Sequence, residues 1–149
     1  KDGKKIGYAR SVWAMISLKT RKPADLLALH GGSIVDYVCD EPCPIEKPSR
    51  IKVTSAEPAS SLNAKYSDID INGHVNSIRY IEHILDLFPI ELYKESRIRR
   101  FEMAYVAESY YGDELTFYKD YVGNGTYDIE VRKNGGEAVC RSKVIFVEK

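Results

Sequence analysis

The stretch Tyr66-Ser67-Asp68-Ile69-Asp70-Ile71-Asn72-Gly73-His74-Val75-Asn76-Ser77-Ile78-Arg79-Tyr80 packs carboxylates, amides, a glycine and an imidazole into one short loop that runs into an amphipathic helix. Carboxylate and imidazole groups take and give protons near neutral pH. An amide such as that of Asn72 can hold a carbonyl or a water. The first N–H groups of a helix have no intrahelical partner, and the dipole there favours negative charge. N–H groups of Gly73 to Val75 are therefore expected to meet a developing oxyanion, with Gly73 letting the backbone turn sharply. Asp and Asn also serve as turn and cap residues, and Asp68 is read in that supporting role.

The elements that must position these groups follow from periodicity. Val75, Ile78, Ile81, Ile84, Leu85 and Phe88 recur at helical spacing and predict a helix from His74 or Val75 to Phe88, ended by Pro89. His83 is read as a surface or packing histidine. Downstream, strands are predicted over Arg97–Glu108, Glu114–Val122, Thr126–Lys133 and Glu137–Val147, separated by Gly-containing turns. In the first of them Phe101, Met103, Tyr105 and Ala107 share one side, and Glu102, Ala104, Val106 and Glu108 the other. Upstream, a strand is expected over Lys5–Leu18 after an Asp2-Gly3 turn, then a short helix from Pro23 to Leu29 stopped by Gly31-Gly32. Cys39–Pro48 reads as a proline-containing loop, and short extended segments are expected near Arg50–Thr54 and Leu62–Tyr66. One long helix and an antiparallel sheet make an α+β architecture.

Bulk properties narrow the function class. A chain of 149 residues with 22 basic and 22 acidic side chains carries no formal net charge. That argues against a nucleic-acid binder, and no apolar run is long enough to span a bilayer. The three cysteines, Cys39, Cys43 and Cys140, fit a reducing cytoplasm better than a disulfide framework. Cys39 and Cys43, with His30, lack a second pair at zinc spacing, so they read as thiols in a loop and no metal is expected. Gly7-Tyr8-Ala9-Arg10-Ser11-Val12 is weakly similar to the Gly turn and Arg141-Ser142 of the last strand. This suggests that residues 1–45 close a preceding domain of the same kind and form a linker, while residues 46–149 form a second one.

Together these segments resemble a known family. One helix embraced by an antiparallel sheet, with Asp68-Ile69-Asp70-Ile71-Asn72-Gly73-His74-Val75-Asn76-Ser77 entering it, resembles the hotdog fold, and more narrowly the acyl-acyl-carrier-protein thioesterases of bacteria and plants. Their Asp-x-Asp-x-Asn-x-His-Val-Asn-Asn block matches that loop, and their Tyr-Arg-Arg-Glu-Cys block is similar to Tyr105-Val106-Ala107-Glu108-Ser109. Leu87-Phe88-Pro89 resembles their helix end; Ser11–Met15 and Thr20-Arg21-Lys22 resemble the end of their first hotdog domain.

The resemblance implies hydrolysis of fatty acyl thioesters on acyl carrier protein, without a cofactor, during fatty acid biosynthesis. It places Asp70, Asn72, His74 and Glu108 on the family's catalytic positions. Serine at position 109, where plant members often have cysteine, argues against an obligate thiolate mechanism. Attack by water assisted by Glu108 and Asp70 is the preferred chemistry, with covalent attack by Asp70 the alternative. Acyl-coenzyme A hydrolysis, or a non-catalytic acyl-binding or assembly module, are the competing functions. Hotdog domains pair readily, so a homodimer is a further expectation. Arg97, Arg99, Arg100 and Lys94 form a local basic cluster, read as a solvated strand start in preference to a docking site for an acidic carrier protein.

Overall fold

The computed structural model describes residues 2–20, 22–39 and 41–149. Contacts divide the chain into two compact units, Lys1–Pro48 and Ser49–Lys149, where the sequence placed a boundary at 45/46.

In the first unit Asp2 and Gly3 adopt the expected turn, both at positive φ (64° and 63°). The strand predicted over Lys5–Leu18 does not form. A strand is defined by ladder hydrogen bonds to a neighbour, and the described residues offer this segment only a single bridge, Ile16 to Pro23. Its apolar residues Ile6, Val12, Trp13 and Leu18 remain exposed. The short helix is also corrected. A run of 3-10 turns spans Leu26–Tyr37, capped by the Asp25 carboxylate, which accepts from the Leu27 N–H at 2.9 Å. Gly31 and Gly32 do not stop it: they take positive φ (67° and 82°), and the run bends there and resumes. Each 3-10 turn closes over only three residues, so a kink between turns is tolerated. Cys39 and Cys43 are exposed and free. Among the described residues no group of three candidate ligands could hold a metal; Asp40 and the His30 side chain, which bear on that expectation, lie outside them.

The second unit contains β1 (Ser60–Asn63), α1 (Ser77–Leu85), α2 (Ile90–Glu95), β2 (Ser96–Tyr105), β3 (Glu114–Gly123), β4 (Thr126–Lys133) and β5 (Glu137–Glu148). The five strands form one antiparallel sheet in the order β1-β3-β4-β5-β2. The two tight turns at Asn124-Gly125 and Asn134-Gly135 use positive φ. At Gly125 the requirement is also steric, because a Cβ there would lie 2.4 Å from the Phe146 carbonyl oxygen.

The sheet's two faces are built differently. Leu115, Phe117, Ile129, Val131, Cys140, Val144 and Phe146 line the inner face and close over the buried stripe of Tyr80 and Ile84 on α1 and Phe88 in the turn after it. Burying an aliphatic or aromatic side chain of this size is worth about 1.5–3 kcal/mol, so this layer holds the helix to the sheet. The outer face is polar yet largely buried. Glu102, Asp128 and Glu130 are each less than a tenth exposed. Asp128 pairs with Lys143, and Glu130 accepts from Arg132 and Arg141 at 2.7 Å each. Burial alone would push the Glu130 carboxyl up; the hydrogen bonds and charges of Arg141 and Arg132 outweigh it and hold the group below its ordinary value.

The segment after Pro48 explains how the remaining carboxylates are satisfied. Ser49 donates through its N–H and hydroxyl to Glu102 on β2, while Thr54 and Ser55 donate to Asp120 on β3. Between those anchors the chain passes β5 and β4. Three strand spacings of about 4.8 Å need a nearly extended backbone over five residues. The extended segment expected at Arg50–Thr54 is thus a strap across the outer face and not a ladder strand. The upstream segment expected at Leu62–Tyr66 is strand β1 followed by a 3-10 turn at Tyr66–Asp68.

Candidate active site

Three devices shape the loop before α1. Asp68 is buried; its carboxylate accepts from the Lys65 N–H at 2.8 Å and its carbonyl from the Asn76 N–H at 2.7 Å. Asp70 closes a tight turn, its carbonyl accepting from Gly73 N–H (3.0 Å) and its own N–H donating to the His74 carbonyl (2.9 Å). Gly73 sits at φ 82°, the left-handed region that favours glycine, with open space where a Cβ would be. The loop then pairs with itself through a bridge between Ile69 and Val75.

This geometry corrects the helix boundary. Val75 is in the bridge and Asn76 is the N-cap, its side chain accepting from the Ile78 N–H at 2.9 Å, so α1 begins at Ser77. It ends at Leu85, earlier than expected; Asp86 to Phe88 form a turn, and Pro89 instead opens α2, an element not foreseen. The amides of Gly73 to Val75 are therefore not free helix-start donors. Gly73 bonds the Asp70 carbonyl, His74 the Asp70 Oδ1, and Val75 the Ser109 carbonyl at 2.8 Å. The His74 contact is the longest, at 3.4 Å, and costs least to exchange for an incoming anion.

The predicted site residues divide into a pair and its support. His74 Nε2 lies 3.5 Å from Glu108 Oε2, both side chains part-exposed. Glu108 is not on a strand: β2 ends at Tyr105, and residues 106–112 return across the mouth of the loop. Asp70 does not touch Glu108 in the hydrogen-bond network; its Oδ1 is engaged by the Asn72 N–H at 2.8 Å and the His74 N–H. Asn72 is exposed at the loop tip. His83 packs edge-on against Phe117, with Nε2 3.5 Å from Asp68 Oδ1, as a packing histidine.

Two neighbours were not foreseen. Tyr110 donates its hydroxyl to Glu108 Oε2 at 3.2 Å and packs its ring edge-on to His74, centroids 5.2 Å apart. Lys133 Nζ donates to the Glu108 carbonyl at 2.7 Å. Neither had a signal in the sequence: Tyr110 lies in the loop after β2, where strand alternation does not apply, and Lys133 arrives only through the β3–β4 pairing.

Within the second unit no thiol reaches the site. Ser109 is buried, its Oγ 2.6 Å from the Tyr80 hydroxyl. Cys140 is buried on the inner face of β5, and burial pushes its thiol up to about 12. In the exposed Cys43, a backbone hydrogen bond from Ile45 lowers the pKa, assisted by Arg10. Iodoacetamide at neutral pH should therefore modify Cys39 and Cys43 and leave Cys140 intact until the protein is denatured. Hydrolytic activity should survive that modification; mass spectrometry and an activity assay on the same sample check both points.

The basic cluster is smaller than the sequence suggested. Arg100 is engaged by Glu102 at 2.5 Å and Lys94 faces Glu91 at 3.9 Å, while Arg97 and Arg99 are exposed on β2.

Comparisons with known proteins agree with this architecture. The family model for the acyl-ACP thioesterase C-terminal domain matches residues 51–148. The chain is 78% identical to an acyl-ACP thioesterase from Bacteroides thetaiotaomicron and superimposes with a TM-score of 0.91, over 98% of this chain and 58% of that one. A 12:0-ACP thioesterase from Umbellularia californica shares the fold at 18% identity, with a TM-score of 0.70 over 90% of this chain and 53% of its own. A dodecanoyl-[acyl-carrier-protein] hydrolase from Cinnamomum camphora is 27% identical over 113 residues, 72% of this chain and 30% of its own length. The chain thus spans under a third of that relative and 27% of a palmitoyl-acyl carrier protein thioesterase from Arabidopsis thaliana. With the antiparallel sheet closed over α1 in the hotdog arrangement and the family model covering most of its length, this chain belongs to the acyl-ACP thioesterase C-terminal domain family.

Proposed function

We propose that the chain carries the catalytic residues of an enzyme that hydrolyses fatty acyl thioesters of acyl carrier protein, releasing free fatty acid. The observation that carries this reading is the approach of His74 to Glu108 across two separate loops, 3.5 Å apart and open to solvent. Family membership supplies the substrate class. Glu108 takes a proton from water as the water oxygen bonds to the thioester carbonyl carbon. The oxyanion is met by the His74 N–H, released from its long bond to Asp70. The C–S bond then breaks, and the thiolate receives the proton that Glu108 accepted, passed on by the His74 imidazole. Asp70, with Oδ1 already accepting two N–H groups, acts by shaping the loop; this favours the water route over covalent attack.

The first unit is read as the end of a preceding domain of the same kind, resting on the likeness of Gly7–Val12 to the last strand. A cytoplasmic setting is part of the proposal, supported by the free thiols. Turnover of matched acyl-carrier-protein and acyl-coenzyme A thioesters, followed by thiol release, tests the substrate class. Higher kcat/KM on the carrier-protein substrate is expected. Equal or greater turnover of the coenzyme A thioester would move the assignment to an acyl-CoA hydrolase, and turnover of neither would leave a binding or assembly module.

A further inference from the structure

The proposed chemistry needs Glu108 to stay within reach of His74, yet Glu108 sits on an irregular loop after the end of β2. A loop carboxylate that is half exposed has little packing of its own to fix it. Lys133 holds the Glu108 backbone carbonyl at 2.7 Å; the remaining restraint comes from its neighbours in sequence, and Ser109 is tied in two directions. Its carbonyl accepts the Val75 N–H at 2.8 Å, joining it to the residue after His74. Its Oγ lies 2.6 Å from the Tyr80 hydroxyl on the first turns of α1. Ser109 and Tyr80 are only 1% and 3% exposed, so water cannot replace either partner.

We propose that the buried Tyr80–Ser109 hydroxyl pair is a positioning device for the reaction: it clamps the loop bearing Glu108 to the helix whose entry loop bears His74. The inference rests on the catalytic reading of Glu108 given above. Tyr80 is the anchor because it is fixed independently, its ring forming part of the buried stripe with Ile84 and Phe88. Its phenol is held neutral, since burial pushes it up and outweighs the opposing effect of the hydrogen bond shared with Ser109. A neutral hydroxyl bonded to a neutral hydroxyl adds no charge to the site, so its contribution is geometric. Neither group touches the reacting atoms; the pair acts through Glu108.

Tyr80→Phe keeps the ring and removes the hydroxyl; Ser109→Ala removes the partner. The double variant Tyr80→Phe/Ser109→Ala removes both and leaves no orphaned buried oxygen, which keeps the test valid if a single variant folds poorly. In the purified protein, assayed well below each variant's Tm, kcat should fall about 10-fold with KM changed less than about 2-fold, because a sub-ångström misplacement of a catalytic group costs rate. The double variant should lose no more than the worse single variant. Hydrogen exchange at the Val75 amide should quicken while amides of β4 stay protected. The deciding comparison repeats Tyr80→Phe in a Glu108→Gln background, where a device acting through Glu108 has nothing left to position and kcat should not fall further. A Tyr80→Phe enzyme with unchanged kcat overturns the inference, as does an equal loss of kcat in both backgrounds, which marks a general structural role. If Glu108→Gln alone is fully active, the catalytic reading and the inference fall together, an outcome distinct from the other two.

Discussion

Glu108→Gln should lower kcat for thioester hydrolysis by about 10²–10⁴-fold, the range over which a positioned general base accelerates such steps. Glutamine has the shape of glutamate and retains an acceptor for the Tyr110 hydroxyl and a neighbour for His74. The Lys133 contact is to the backbone carbonyl and is untouched. Only the basicity of the side chain is lost, so a fall in kcat at unchanged Tm reports chemistry and not folding. His74→Ala should cost a comparable factor by removing the imidazole from the proton path. Asp70→Asn separates the two routes to product. Asparagine still offers an oxygen to the Asn72 and His74 N–H groups, so the water route predicts a loss below about 10-fold, whereas a covalent carboxylate nucleophile admits no replacement by an amide. Steady-state kinetics of the three variants on one acyl-carrier-protein substrate suffice. Wild-type kcat in Glu108→Gln would remove Glu108 from the reaction.

The strands after α2 were legible because their turns are: Asn-Gly pairs and alternating apolar residues gave β4 its bounds and β3 and β5 theirs to within one residue. Strand β2 was overrun. Periodicity continues to Glu108 in the sequence, but the ladder stops at Tyr105, because Val106 and Ala107 both donate to the single Val139 carbonyl and the pairing cannot advance. That local fault is what delivers Glu108 to the loop. The candidate site residues were proposed from the residue types of the loop and the family resemblance; their structural partners were not legible. Tyr80 reads as one more helix aromatic and Ser109 as a substituted cysteine, and only tertiary structure brings their hydroxyls together. The segment at Arg50–Thr54 is extended as expected, but its course as a strap was not legible, because an extended chain bonding to carboxylates has the same composition as one bonding in a ladder. The helix was overextended because Val75 and Phe88 are apolar and buried without being helical, one in a bridge and the other in a turn.

Ile78 and Ile84 entered the sequence reading as equivalent members of one apolar helix face, and the structure separates them. Ile84 is fully buried, between Tyr80 and Phe88 along the stripe that meets Phe117, Val131 and Val144. Ile78 is 55% exposed on the opposite side of the first turn. Ile84→Ala should destabilise by about 2–5 kcal/mol, the sum of lost transfer energy and a cavity that the inner sheet face cannot collapse to fill. For a domain of this size that corresponds to a fall in Tm of roughly 10–30 °C. Ile78→Ala should stay within about 0.5 kcal/mol. The contrast matters for the site because α1 carries Tyr80 and follows directly on the Asn76 cap. A helix unseated from the sheet loses its hold on the loops bearing His74 and Glu108 at once, so Ile84→Ala should lose activity in step with thermal unfolding, with kcat near wild type well below the transition. Differential scanning calorimetry alongside activity measured over the same temperatures checks this. Equal Tm shifts in the two alanine variants would mean that the stripe through Tyr80, Ile84 and Phe88 is not what seats the helix.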